Sequence, residues 1–206
     1  MRLRLFILVL LFCTAAESTV IDRIAVVVGN RAVKDSDIER DIRITSLLNR
    51  EKPDFSTKSR RDSANRLIDQ QLIRREIEIG QYAVPPASEA ARLLAQIKKD
   101  RFRAEADYQR ALSEYGITEA ELKSQLLWQL TVLRFIDARF RPGVLVTEED
   151  VQKYYREHAP AWGGLQNVRQ QIEETIAGER INQQFYAWLE MRRKMTKVVF
   201  REETLR

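Results

Sequence analysis

The stretch of residues 20–41, VIDRIAVVVGNRAVKDSDIERD, constrains the fold more than any other part of the chain. Residues 21–28 carry apolar side chains on both alternating faces, which predicts a strand that other elements cover on both sides. Gly29 and Asn30 tolerate positive φ in a tight turn, so residues 31–33 are expected to return as a second strand. Ser36 and Glu39 then have the spacing of a capping box, which predicts the start of a helix.

The first sixteen residues have the layout of a cleavable signal peptide. Arg2 and Arg4 precede an apolar run at residues 5–12, and small residues follow before Glu17. We expect cleavage between Ala16 and Glu17 and location in the periplasm; an uncleaved membrane anchor is the alternative. The apolar run is shorter than the ~20 residues that span a bilayer, so no stable membrane insertion is expected.

Charge and cysteine content exclude several classes of function. Cys13 is the single cysteine and would be lost with the leader, which leaves no thiol for disulfides, metal sites or catalysis. The formal net charge of +5 is modest, and both signs alternate along the predicted helices. A nucleic-acid partner is therefore not expected, because nucleic-acid-binding domains concentrate basic residues on one face.

Apolar periodicity predicts that most of the remaining chain is helical. The predicted helices cover about residues 60–79, 88–102, 105–115, 118–140, 147–159 and 165–195, with caps at Ser88, Thr118 and Thr147. The longest regular apolar stripe is assigned to the core, and it consists of Leu122, Leu126, Leu130, Leu133, Ile136 and Phe140. Gly178 separates two offset stripes in the last helix and is a candidate bend.

Residues 197–201, KVVFR, have a short strand pattern at the end of the chain. Since two strands alone are marginally stable in water, this segment is the expected partner of the N-terminal hairpin. The predicted fold is mainly α, a helical module with a small antiparallel β element. Residues 17–206 are expected to form one domain, with an N-terminal core at 17–141, a linker and short helix at 142–164, and a long helix and strand at 165–206.

Several segments, taken in order, resemble the family of periplasmic SurA chaperones. They are residues 21–30 with Ser36-Asp37-Ile38, residues 67–73 (LIDQQLI), residues 146–155 (VTEEDVQKYY), and the tail motifs at 168–172, 179–181 and 188–189. Members of that family often carry parvulin-type prolyl isomerase domains. Here only residues 158–165 separate the flanking pieces, which is far below the ~50 residues of a small domain.

The resemblance implies an ATP-independent holdase that binds unfolded exported polypeptides, outer-membrane β-barrel precursors in particular. Two alternatives remain: a peptidyl-prolyl isomerase, and an envelope adaptor that binds one folded partner. No enzyme activity, metal or cofactor is expected, because His158 is the only histidine and no glycine-rich phosphate loop is present. His158 itself is interpreted as a solvated helix-end residue.

Aromatic and large apolar residues outside the regular stripes are the candidate client contacts. A core position is the favoured alternative for each of them, and the two methionines are included as adaptable contacts. The candidates are Tyr82, Phe102, Tyr108, Tyr115, Trp162, Met191 and Met195.

Overall fold

A computed structural model describes residues 22–158 and 164–205. The predicted cleavage site at Ala16 and Glu17 and the candidate contact Trp162 lie outside these residues. The described chain is mainly helical, as predicted. Its elements are β1 (Ile24–Val28), β2 (Arg31–Lys34), α1 (Asp35–Asn49), α2 (Thr57–Ile79), α3 (Ala87–Arg101), α4 (Glu105–Tyr115), α5 (Glu119–Phe140), α6 (Glu148–His158), α7 (Leu165–Met195) and β3 (Val198–Phe200).

The two ends of the described chain meet in one antiparallel sheet of order β2-β1-β3. Val27 on the central strand pairs with Ala32 of β2 and with Val199 of β3. Gly29 has a φ of 62° in the hairpin turn, and its backbone N–H donates to the carbonyl of Lys197 at 2.9 Å. The predicted pairing of the C-terminal strand with the hairpin is confirmed.

The predicted capping box of Ser36 and Glu39 is wrong, because α1 begins one residue before Ser36. The Ser36 hydroxyl instead donates to the Asp22 carboxylate at 2.6 Å, and Asp37 accepts the backbone N–H of Lys34 at 3.1 Å. Glu39 forms an ion pair with Arg43 one turn further along. β2 runs into the helix without a loop, so the N-cap is Lys34 and its capping partner at the third helical position is Asp37.

Helix ends elsewhere follow the predicted signals with one exception. Gly80 and Gly116 are the first residues after α2 and α4, and Gly116 has a left-handed φ of 62°. Thr118 forms its capping box with Glu121 at the start of α5. The predicted cap at Ser88 is wrong: α3 begins at Ala87, after Pro86, without a side-chain cap.

The buried side chains of the helices and the sheet form two adjacent clusters. The main cluster packs the sheet against α1, α2, the C-terminal half of α5 and α7, and it includes the buried rings of Phe135, Phe140 and Trp188. The second cluster joins α1, α3, α4 and the N-terminal half of α5 around Leu122 and Leu126. α5 therefore belongs to both clusters and changes its neighbours part-way along its length.

That change of neighbours corrects the predicted core stripe of α5. Leu133 is 64% exposed, whereas Trp128 and Phe135, which lie outside the stripe, are buried. Leu130 and Ile136 are only partly buried. The apolar spacing predicted the helix correctly. Its buried face changes along its length, because the N-terminal half of α5 packs in the cluster of α3 and α4 and the C-terminal half in the cluster of α2 and α7.

The offset of stripes at Gly178 has a similar cause. Ile172 and Ile176, before the glycine, pack with Val151 of α6 in a third small cluster. Ile181 and Phe185, after it, belong to the main cluster. α7 is one continuous helix through Gly178, so the offset marks a change of packing partner.

Polar contacts join α6 to α7 beside this small cluster. The Asp150 carboxylate accepts from the Arg180 guanidinium at 2.6 Å and from the backbone and hydroxyl of Thr147 at 2.9 Å each. The hydrogen bond from Arg180, followed by those from Thr147, holds the pKa of Asp150 well below its ordinary value of 3.8. Arg169 similarly lowers the pKa of Glu148.

We expect α6 to lose stability in acid. A carboxyl group whose pKa is lowered by folding stabilises the native state above its ordinary pKa, and this contribution disappears as the pH falls through the folded value. Hydrogen-exchange protection of α6 amides, corrected for intrinsic rates, should therefore fall below about pH 4 relative to α2. Asp150→Asn should reduce that pH dependence. Glu157→Gln, which removes an exposed carboxylate of the same helix, should leave it unchanged.

Candidate functional site

An open, mainly apolar groove lies between α2, α5 and α7. It encloses about 510 Å³ and is called here the α2–α5–α7 groove. Its apolar lining consists of Ile73, Trp128, Val132, Leu133, Phe185, Tyr186 and Leu189, and its polar lining of Arg66, Asp69, Gln70, Gln125 and Gln129.

Two side chains give the groove accessible apolar surface. Leu133 and Tyr186 are 64% and 66% exposed, although both are large and lie beside buried residues of the main cluster. Trp128, Phe185 and Leu189 are buried beneath them and form a fixed floor. An unfolded segment that covered Leu133 and Tyr186 would remove apolar surface from water without rearranging the core.

The polar lining of the groove suits a polypeptide backbone. Gln70, Gln125 and Gln129 make no side-chain hydrogen bond to other residues of the described chain, so their amides are free to donate and accept. The charged groups are already paired, since Arg66 contacts Asp41 at 2.6 Å and Arg193 contacts Asp69 at 2.5 Å. The groove therefore offers apolar contact and neutral hydrogen bonding without a net charge.

Two further cavities share walls with the groove. Leu133 also lines a cavity of about 580 Å³ beside Tyr82 and Ala138, and Trp128 also lines one of about 340 Å³ beside Arg74. Apolar surface thus continues along α5 on both sides of the groove.

The predicted client contacts do not come together in the groove. Tyr82 lies in the neighbouring cavity with its ring centroid 5.0 Å from that of Phe135 in an edge-to-face contact, and its hydroxyl accepts from Arg139. Met191 and Met195 are exposed near the end of α7, outside the groove lining.

Three other candidates belong to the second cluster. Tyr108 is 1% exposed and packs edge-on against Phe102, so it offers no surface to a client in this structure. The partly buried Tyr115 donates its hydroxyl to the carbonyl of Glu51 at 2.8 Å. These residues stabilise the α1–α3–α4 region.

Sequence reasoning missed Leu133 and Tyr186 as accessible groove residues. The regular spacing of Leu133 favours a core position, and Tyr186 follows the buried Phe185 directly. The spacing of Gln125 and Gln129 by one helical turn gave a weak signal, because two uncharged polar residues there indicate an exposed face that is not primarily ionic.

Residues 22–158 and 164–205 contain no group of three or more histidine, cysteine, aspartate or glutamate side chains placed to bind a metal ion. His158 is exposed at the end of α6, where its ring stacks on Tyr154 and its Nδ1 lies 3.1 Å from the carbonyl of that residue.

Comparison with protein-family models finds no match to this chain, and comparison with curated proteins finds none either. The resemblance to SurA chaperones accordingly remains a prediction from the quoted segments. Every helix of the described ranges is too short or too polar to cross a lipid bilayer.

Proposed function

We propose that this protein is an ATP-independent periplasmic holdase that binds unfolded exported polypeptides in the α2–α5–α7 groove. The observation that carries the proposal is the exposure of Leu133 and Tyr186 over a buried aromatic floor, next to unpaired glutamine amides. Order and spacing of the SurA-like segments support the same function. Outer-membrane β-barrel precursors are the proposed clients, with no nucleic acid, cofactor or enzymatic step.

Weak, reversible binding is the expected mode of action. Apolar burial contributes roughly 25 cal/mol per Å², and ordering a flexible client offsets much of that gain. Glutamine amides hydrogen-bond to peptide groups, which are common to all polypeptides, so binding should depend little on client sequence. A client held in this way dissociates without nucleotide hydrolysis.

The direct test is aggregation of an unfolded outer-membrane β-barrel protein diluted from denaturant. The purified chain should reduce light scattering without nucleotide, and the double variant Leu133→Gln, Tyr186→Gln should bind the client at least on the order of tenfold more weakly. Both positions are exposed, so the double variant should keep the stability of the parent protein to within about 1 kcal/mol.

A matched control is available in Ile79→Gln with Leu145→Gln. These two apolar residues are 70% and 74% exposed but lie outside the groove lining. The control should suppress aggregation as the parent does. Absence of suppression by the parent at several-fold excess would contradict the holdase function, and equal activity of the groove variant would contradict the assigned surface.

The two alternative functions have their own readouts on the same preparation. Accelerated cis-to-trans conversion of an X-Pro peptide would indicate a prolyl isomerase. Crosslinking that captured one folded protein in a fixed ratio, and no unfolded chains, would indicate an adaptor.

A further inference from the structure

Arg74 on α2 forms no ion pair with a carboxylate of the described residues. Its guanidinium lies over the Trp128 indole, with 3.9 Å between the central carbon and the ring centroid. Glu78, one helical turn further along α2, forms an ion pair with Arg31, and its charge also acts on Arg74. Arg31, Glu78 and Arg74 together leave one surplus positive charge.

Arg74 stands at the wall of the 340 Å³ cavity that adjoins the groove through Trp128. Ile77, Val84 and Leu127 supply the remaining apolar lining, and the cavity is also lined by Glu78, Ser124 and Thr131. That volume is roughly ten times the ~30 Å³ occupied by one water molecule in the liquid, which is room for a large side chain. The cavity therefore combines a cation with an apolar space next to it.

The surroundings of Arg74 make an anion favourable there. Burial lowers the pKa of its guanidinium, the positive charge of Arg31 adds to that effect and the negative charge of Glu78 opposes it; an arginine remains protonated in proteins. The Glu78 carboxylate balances only one of the two guanidinium groups, and a bound carboxylate would compensate the other with a charge-assisted, often bidentate, hydrogen bond.

We propose that this cavity binds the C-terminal carboxylate of an extended polypeptide whose last residue is apolar. The inference rests on the proposed function, because a client in the groove reaches the cavity across Trp128. A terminal carboxylate shares its Cα with the last side chain, so one residue can satisfy both Arg74 and the apolar lining. An internal aspartate or glutamate brings a charge without an apolar group at that distance.

The test compares two labelled peptides that differ in one group. Both are derived from an unfolded β-barrel client and end in phenylalanine, one with a free carboxylate and the other with a carboxamide. Fluorescence anisotropy with the unmodified protein should show that the free-acid peptide binds on the order of tenfold more tightly than the carboxamide peptide. Because the change is made in the peptide, this comparison does not depend on the folding of a variant.

Protein variants then assign the effect to Arg74. Arg74→Gln should weaken binding of the free-acid peptide to the affinity of the amide peptide, and it should leave binding of the amide peptide unchanged. Arg92→Gln, the same substitution at an exposed site on α3, should preserve the difference.

The outcomes separate this inference from the proposed function. Equal binding of both peptides by a protein that suppresses aggregation would overturn the C-terminal site alone. Failure of both peptides to bind, together with no suppression, would overturn both proposals. Arg74-dependent binding of an amidated peptide with an internal aspartate would replace terminal recognition by recognition of acidic side chains.

Discussion

Phe135→Ala should destabilise the protein by about 3–5 kcal/mol, since removing a fully buried aromatic ring leaves a cavity that the surroundings fill only partly. Phe135 is 1% exposed and lies at the centre of the main cluster. Its ring centroid is 5.0 Å from that of Tyr82, 5.5 Å from that of Trp188 and 6.1 Å from that of Phe140. Denaturant unfolding followed by circular dichroism measures the change in the free energy of unfolding.

Leu133→Ala on the same helix is the matched control. Leu133 is only two residues away but 64% exposed, so its truncation should change stability by less than about 1 kcal/mol. The pair also tests which face of α5 is buried. Equal losses at the two positions, or a larger loss at Leu133, would contradict the orientation of α5 and the groove that depends on it.

Local signals in the sequence were sufficient to predict most of the secondary structure and the sheet. Each of these signals depends only on residues a few positions apart, and each has the predicted role. They are the Gly29 turn, the glycines after α2 and α4, and the Thr118 capping box. The pairing of β3 with β1 was predictable for a different reason. An isolated hairpin needs a further strand, and only one other segment was identified as a strand.

The groove could not be predicted in the same way, because exposure depends on which elements pack against a helix. The spacing of Leu133 within its stripe is that of a buried residue. Between Leu126 and Phe135, however, α5 passes from the second cluster to the main cluster, and Leu133 lies on the face that neither cluster covers. The absence of an ion pair at Arg74 could not be predicted for a similar reason. Its sequence neighbours include acids, and only the tertiary pairing of Glu78 with Arg31 leaves it without an ion pair of its own.

The C-terminal turn was not predicted to contribute to the core, but the structure places Leu205 there. Residues Glu203–Leu205 form a short 3₁₀ turn after β3, and Leu205 is 1% exposed in the main cluster. The turn is fixed to α2 by polar contacts: Arg60 contacts the Glu202 carboxylate at 3.2 Å, and Arg61 donates to the carbonyl of Thr204 at 3.3 Å.

Leu205→Ala should therefore cost about 2–5 kcal/mol of unfolding free energy, as expected for a leucine buried in a packed core. The same denaturant titration provides the measurement, with Met195→Ala as the control, because Met195 is 72% exposed at the end of α7. The control should change stability by less than about 0.5 kcal/mol. A loss below about 1 kcal/mol for Leu205→Ala would contradict the burial of Leu205 in the main cluster.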